Sequence, residues 1–203
     1  MITIVDYGAG NVASLANMLE YVGTDSRSSC DPIEIEGASR LLLPGVGSFA
    51  FAMKTLRARQ LDIAIQNAVG NGALLLGVCL GMQLLGRFSE EGDAEGLGLL
   101  EADVRRIRSP NDKLKIPNMG WHEVKTCKSH WLVQENSLPE RYYFAHSYHM
   151  ICENPGDVVA TIDYDGTKVV AVAHNNVFGV QFHPEKSHRF GARLLSDFAG
   201  LDT

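Results

Sequence analysis

A cysteine, a histidine and a glutamate in this chain have the types and spacing for nucleophilic chemistry. Cys79 lies in Gly77-Val78-Cys79-Leu80-Gly81, and about a hundred residues later comes Phe182-His183-Pro184-Glu185. A reactive side chain with glycine two residues to either side, between an apolar run and a helix-like segment, has the layout of a nucleophile elbow. The glycines answer a steric need, because side chains at those positions would collide across so sharp a turn. A helix N-terminus there favours the thiolate, and the Leu80 N–H can point at the oxyanion formed when sulfur attacks a carbonyl. The competing use of such a cysteine is as a small apolar core filler. A thiolate also needs a base. His183 ends an apolar strand, Pro184 stops that strand, and Glu185 is close enough to orient the imidazole. Alone, His183 could equally be a surface histidine at a strand end; together the two motifs favour catalysis.

For Cys79 and His183 to meet, their elements must end on one rim of a sheet. Ile2 to Val5 reads as a buried strand, followed by the turn Asp6-Tyr7-Gly8-Ala9-Gly10-Asn11 and a helix with Val12, Leu15, Ala16, Leu19 and Val22 on one face. Arg40 to Leu43 is a second buried strand, ended by Pro44-Gly45-Val46-Gly47, with Ser48 placed to N-cap the next helix. That helix breaks near Gln60 and resumes through Ala68, and Gly70 and Gly72 mark its end. Ala73 to Leu76 leads into the cysteine. Residues 90–98 form a polar, glycine-bearing loop able to border a site. Strands then dominate: Val104 to Ile107, His122 to Thr126, Tyr142 to Met150, Val158 to Tyr164, Lys168 to His174 and Phe178 to Phe182. Asn175-Asn176 suits a hairpin turn, and Phe190 to Phe198 a final helix. This order predicts an α/β fold, a mainly parallel central sheet flanked by helices with an added antiparallel sheet, in a single domain over residues 1–203. The working site of such a sheet lies beyond the carboxyl ends of its strands, where the turns DYGAGN, LPGVGS and GVCLG compete for that role.

Composition excludes several classes. A chain of 203 residues, 45% of them hydrophobic, can bury a large core. The net charge of −6 is mild, and the one basic cluster, Arg105, Arg106 and Arg108, is preceded by Glu101 and Asp103, so nothing asks for nucleic acid. Cys30, Cys79, Cys127 and Cys152 are scattered, which argues against a zinc ribbon or a disulfide scaffold and fits a reduced cytoplasm. The opening MITIVDYGAG lacks the pattern of a signal peptide. The longest apolar stretch, LLLGVCLGMQLL, is too short and glycine-rich to cross a bilayer. A cytoplasmic protein with no membrane partner, no cofactor and no metal is expected.

GVCLGMQLL, followed by GVQFHPEKS, resembles the class I glutamine amidotransferase family, whose triad is Cys-His-Glu. Within that family DYGAGN, LPGVGSF, KIPNMGW and YFAHSY are together similar to the glutaminase subunits of imidazole glycerol phosphate synthases, from histidine biosynthesis. The likeness covers essentially the whole chain in order. It implies that Cys79 attacks the side-chain amide of L-glutamine, releasing ammonia and leaving a glutamyl thioester that water hydrolyses. His183 would protonate the departing ammonia and then activate the water, with Glu185 stabilising the imidazolium. Leu80 and the neighbouring turn, through Val46 and Gly47, would form the oxyanion hole, and a peptide flip there could switch activity. Gln83 and the backbone of Ser147 and Tyr148 would hold the amino-acid end of glutamine, helped by Glu91. Without the resemblance, Gln83 reads as a polar helix residue facing solvent. Asn11 and Lys186 match positions that face a (β/α)8-barrel cyclase subunit, which takes the ammonia through an internal tunnel and, when liganded, activates the glutaminase. One departure stands out. His122 follows the tryptophan of KIPNMGW where the histidine-pathway subunits usually carry asparagine, and with HSYHMIC and HPEKSHRFG it is similar to a paralogous branch. Members of that branch feed ammonia to a related barrel for amidino-sugar synthesis.

Three further patterns compete. DYGAGNVA fits G-x-G-x-x-A, the first turn of a dinucleotide-binding unit, yet residues 25–30 give no convincing second strand ending in an acid. A cysteine peptidase on a similar sheet would use the same Cys–His pair, but MQLL with HSY resembles a pocket for free glutamine. His146, His149 and Cys152 are spaced by three, which puts neighbours on opposite faces of a strand and spoils a shared ion site. Trp121 and Trp131 read as packing residues.

Overall fold

In the computed structural model, which describes residues 1–109, 114–134 and 139–202, the first eighty-odd residues alternate strand and helix. They form β1 (Ile2–Val5), α1 (Val12–Tyr21), β2 (Ser26–Ser29), α2 (Pro32–Glu36), β3 (Arg40–Gly45), α3 (Phe49–Ala58), α4 (Leu61–Gly70), β4 (Leu74–Cys79) and α5 (Leu80–Leu84). The strands lie in the order β2-β1-β3-β4, all parallel. Helices on both faces explain why β3 and β4 read as unbroken apolar runs. Leu41, Leu43 and Leu75 pack toward α3 and α4, whereas Leu42, Leu76 and Val78 pack toward Leu15 and Leu19 of α1. Between α3 and α4 the chain turns through Gln60 in the left-handed region, φ 58°.

The second half adds β5 (Phe88–Ser89), β6 (Ala94–Glu95), β7 (Ala102–Arg106), β8 (Asn118–Glu123), β9 (Lys125–Thr126), β10 (Arg141–His146), β11 (Tyr148–Cys152), β12 (Val158–Asp163), β13 (Thr167–His174), β14 (Val177–Val180) and α6 (His188–Ala199). β14 lies parallel to β4, and antiparallel β13, β11 and β7 continue the sheet from it. β8 and β10 form a separate antiparallel pair. The expected α/β architecture, a largely parallel centre with antiparallel additions, is the one observed. His174 pairs with Val177 across the Asn175-Asn176 turn, with Asn175 at φ 51°. No helix among the described residues is long and apolar enough to cross a membrane.

Four expectations need correction. Residues 26–29 are a strand: β2 is the polar SRSS at the sheet's edge, paired only with β1, and an edge has little apolar face to bury. The dinucleotide reading fails for another reason. Gly10 is pressed against the β3 turn, where an added Cβ would stand 2.9 Å from Pro44 Cβ, and Asp31, just beyond β2, has its carboxylate committed to the Ile33 N–H as the cap of α2. Tyr142 to Met150 is two strands, β10 and β11, in different sheets; its alternation runs on through Ser147, where the chain changes sheet. His122 to Thr126 likewise splits, and β8 starts earlier, at Asn118. Part of the loop at 90–98 is the second strand of the β5–β6 hairpin.

Candidate active site

Cys79 ends β4 in a conformation that L-residues rarely adopt, φ 56° and ψ −110°, and is 5% exposed. Such strain persists only where the surroundings over-determine it. A Cβ on Gly77 would lie 2.6 Å from the Gly81 carbonyl oxygen, inside the elbow as the sequence implies. Gly81 answers a different need, because its Cβ would run into the Leu43 carbonyl of β3. The helix after Cys79 spans only five residues, so its dipole is weaker than the sequence implied and the free N–H groups of its first turn matter more. Tyr7, buried, donates its hydroxyl to the Pro44 carbonyl at 3.0 Å and ties down the neighbouring β3 turn. Burial, and then the nearby Cys79, push the Tyr7 phenol well above its ordinary range.

His183 follows β14, which pairs directly with β4, so parallel pairing delivers it to the rim where Cys79 sits. Its Nδ1 lies 2.9 Å from Glu185 Oε1, and its ring lines the same cavity as Cys79. Nδ1–H is therefore the donor to the carboxylate, and Nε2 is left for the sulfur. Burial works against charging this ring, but the influence of Cys79 and Glu185 outweighs it and raises the His183 pKa to about 10. For Glu185, burial pulls upward, and donation from His183 and from Asn11 Nδ2 at 2.8 Å holds the carboxyl below its usual range. Asn11, expected to face a partner, thus has its amide committed to Glu185. His183 is also clamped to β10: its N–H donates to the Tyr143 carbonyl, and Ser187 Oγ donates to the His183 carbonyl while accepting the Tyr143 N–H.

A cavity of about 310 Å³ opens over Cys79 and His183. Val46, Gly47, Leu80, Gln83, Ser147, Tyr148, Glu91 and Lys186, each singled out in the sequence, lie on its wall. Gln83 is buried, not solvent-facing. Glu91 Oε2 accepts the Phe49 N–H at 2.8 Å, a capping role that the sequence reading gave to Ser48, whose side chain makes no cap bond. Lys186 is exposed, its Nζ 5.5 Å from the centre of the Tyr143 ring.

The sequence reading passed over His146 as a site residue, and over Asn118 and Gln181 altogether. His146 lines the cavity, with one ring nitrogen facing the Tyr148 carbonyl and the other Asn118. Both nitrogens are therefore engaged, which removes the shared-ion alternative with His149 and Cys152. Gln181 is fully buried and donates to Cys79 Sγ. It had one local signal, a polar residue in an apolar run two positions before His183 and so on the same face. Trp131 packs on Phe178 and Phe198 as expected, whereas Trp121 is 38% exposed and stacks on His188.

Residues 3–200 match the family described as glutamine amidotransferase class-I. The chain is 43% identical to imidazole glycerol phosphate synthase subunit HisH 2 of Pseudomonas aeruginosa, over 99% of this chain and 100% of that one. It is 44% identical to the protein of the same name from Methanococcus maripaludis, over 98% of each, and 43% identical to subunit HisH of Salinibacter ruber, over 100% of this chain and 95% of that one. Among solved structures, a glutamine amidotransferase superposes with a TM-score of 0.75 at 20% identity, over 98% of this chain and 99% of that one, a likeness of fold.

Proposed function

Since the chain belongs to the glutamine amidotransferase class-I family, we propose that it is the glutaminase subunit of an imidazole glycerol phosphate synthase, a single cytoplasmic domain that turns L-glutamine into glutamate and ammonia for a cyclase partner. The observation that carries this reading is Cys79, strained onto an elbow in the same cavity as a histidine whose Nδ1 is committed to a buried carboxylate.

The Cys79 thiolate attacks the side-chain amide carbon of glutamine. N–H groups of Leu80 and of the Val46-Gly47 turn take up the charge on the carbonyl oxygen. Protonated His183 gives its proton to the leaving nitrogen, so the C–N bond breaks, ammonia departs and a glutamyl thioester remains. His183, now neutral, draws a proton from water, whose oxygen attacks the thioester; glutamate leaves and the sulfur is restored. Glu185 holds the imidazole in one tautomer throughout. Gln83 and the Ser147-Tyr148 backbone hold the amino-acid end of the substrate. Asn11 and Lys186 lie on the rim that meets the barrel-shaped cyclase, Asn11 through its link to Glu185. The amidino-sugar branch raised by His122 is not favoured, because the relatives that match over their full length carry the histidine-enzyme name.

Cys79→Ala is expected to abolish glutamine hydrolysis while the reconstituted pair still makes product from added ammonia, as an assay of both activities with the histidine-pathway intermediate would record. Undiminished glutaminase in that variant would overturn the reading. Glutaminase lost but no ammonia-dependent synthesis from that intermediate would redirect the ammonia to another acceptor.

A further inference from the structure

The Tyr148 main-chain carbonyl dictates the proton arrangement of a row of side chains running from β8 to the Cys79 sulfur. A carbonyl can only accept. It receives Gln83 Nε2 at 3.1 Å and faces His146 Nδ1 at 2.8 Å. His146 therefore carries its proton on Nδ1, and its Nε2 accepts from Asn118 Nδ2 at 3.0 Å. Asn118 then turns Oδ1 toward His122, whose Nε2 donates across 2.7 Å. On the other side, the second N–H of Gln83 goes to Gln181 Oε1 at 2.9 Å. Gln181 in turn directs its own amide N–H to Cys79 Sγ at 3.8 Å. Asn118 and Gln181 are fully buried, and Gln83 and His146 are within 5% of it. In such surroundings reversing one amide would leave a buried donor facing a donor, so the row holds one arrangement. Both donors of Gln83 are committed, and its Oε1, on a side chain that lines the cavity, has no protein hydrogen-bond partner among the described residues.

The geometry points to His146 as a positioning residue for substrate: braced by Asn118 and His122, it acts through the Tyr148 carbonyl to keep Gln83 turned with its acceptor oxygen free for the α-ammonium of an amino acid. This rests on the reading of the cavity as a glutamine site. The same bonds also tie the β8–β10 pair to the main sheet, and a merely structural role would loosen the site as a whole. A positioning role instead weakens capture of an amino acid far more than it alters the reactivity of the sulfur, which meets the row only at its far end, through Gln181.

Two reagents separate these roles on the full-length chain, with labelling read at the Cys79 peptide by mass spectrometry. A diazoketone analogue of glutamine must bind before it alkylates Cys79, whereas iodoacetamide has no amino-acid end. In His146→Phe, which keeps the bulk and loses both bonds, the half-saturating concentration of the analogue is expected to rise ~10-fold, the size of one lost hydrogen bond. Its limiting rate and the iodoacetamide rate should stay within about threefold. His146→Gln, which can donate toward Tyr148 and accept from Asn118, should restore most of the binding. Should His146→Phe not fold, His122→Phe at the half-buried outer end tests the same row, with a rise of ~3-fold. Unchanged half-saturation in the variant that folds, or equal loss of both reagents, overturns the proposal. A wild-type Cys79 that the analogue does not label overturns the glutamine-site reading instead.

Discussion

The two sides of the cavity are built by opposite means. On the Cys79 side the backbone sets the geometry: a residue at φ 56°, a glycine pressed against its own turn and another against the β3 carbonyl of Leu43. On the Gln83 side, side chains drawn from β8, β10, α5 and the end of β14 hold one another by hydrogen bonds. Around Cys79 the backbone wall is rigid because its close contacts at Gly77 and Gly81 leave no room to move, and such contacts admit little partial failure. A side-chain wall can lose one bond at a time, for about 1–3 kcal/mol when a buried partner is left unsatisfied. The nucleophile's position thus depends on a few steric contacts, and the substrate's on a network that can be adjusted residue by residue.

The sharpest way to break this contrast is to enlarge one small residue on each wall, by one carbon on the Cys79 side and by two on the other. Gly81→Ala places a methyl group inside the Leu43 carbonyl, so β3 and α5 must part; we expect destabilisation of more than about 3 kcal/mol in urea unfolding. Ala145→Val, on the opposite wall in β10, should cost less than half as much. Equal losses would mean that the two walls are packed alike.

The same contrast explains what could be read from the sequence. Gly77 to Gly81 spans five residues, and His183 and Glu185 are two apart, so their chemistry is written locally. The buried row is not: Asn118 and His146 are separated by 28 positions, Gln83 and Gln181 by 98, and Gln181 and Cys79 by 102. No periodicity reports a contact of that range. The strands behave likewise. β3 and β4 were legible because both faces are buried, β2 was not because its edge position leaves polar serines in place, and the change of sheet at Ser147 leaves the alternation around it intact. Asn11, which the resemblance set facing a partner, donates to Glu185 instead, a bond that joins residues 174 apart.

Acid should separate the walls next. Steric packing at Gly81 has no protonation state, whereas burial lowers the His146 pKa from 6.5 to about 4. Between those values the unfolded chain binds a proton that the folded chain refuses. The stability this group contributes is therefore complete above pH 6.5 and drains as pH falls toward 4, by about 2–3 kcal/mol in all. His122, His130 and His149 are lowered too, mainly by burial, and add slopes of the same sign. The difference between wild type and His146→Gln isolates the one group: in urea titrations at pH 7 and pH 4.5 the variant should lose about 2 kcal/mol less than wild type. Parallel losses would mean that His146 accepts its proton freely, and that the row can rearrange.

The smallest effect lies where a side chain does a backbone's work. α3 starts at Phe49 with Ser48 in the capping position, and local sequence assigns Ser48 the cap. The orphan N–H of Phe49 goes instead to Glu91, 42 residues away, whose charge also suits a helix N-terminus. Ser48→Ala should therefore change stability by less than ~0.3 kcal/mol, where a working serine cap is worth about 1. Glu91→Ala should cost about 1 kcal/mol, both read from thermal unfolding midpoints. Because Glu91 also lines the cavity, that bond ties the start of α3, next to the Val46-Gly47 turn, to the loop on the substrate side. It is a point where the backbone wall leans on the side-chain wall. If Ser48→Ala proves the more damaging, that support is absent and the Val46-Gly47 turn is held by its own strand and helix alone.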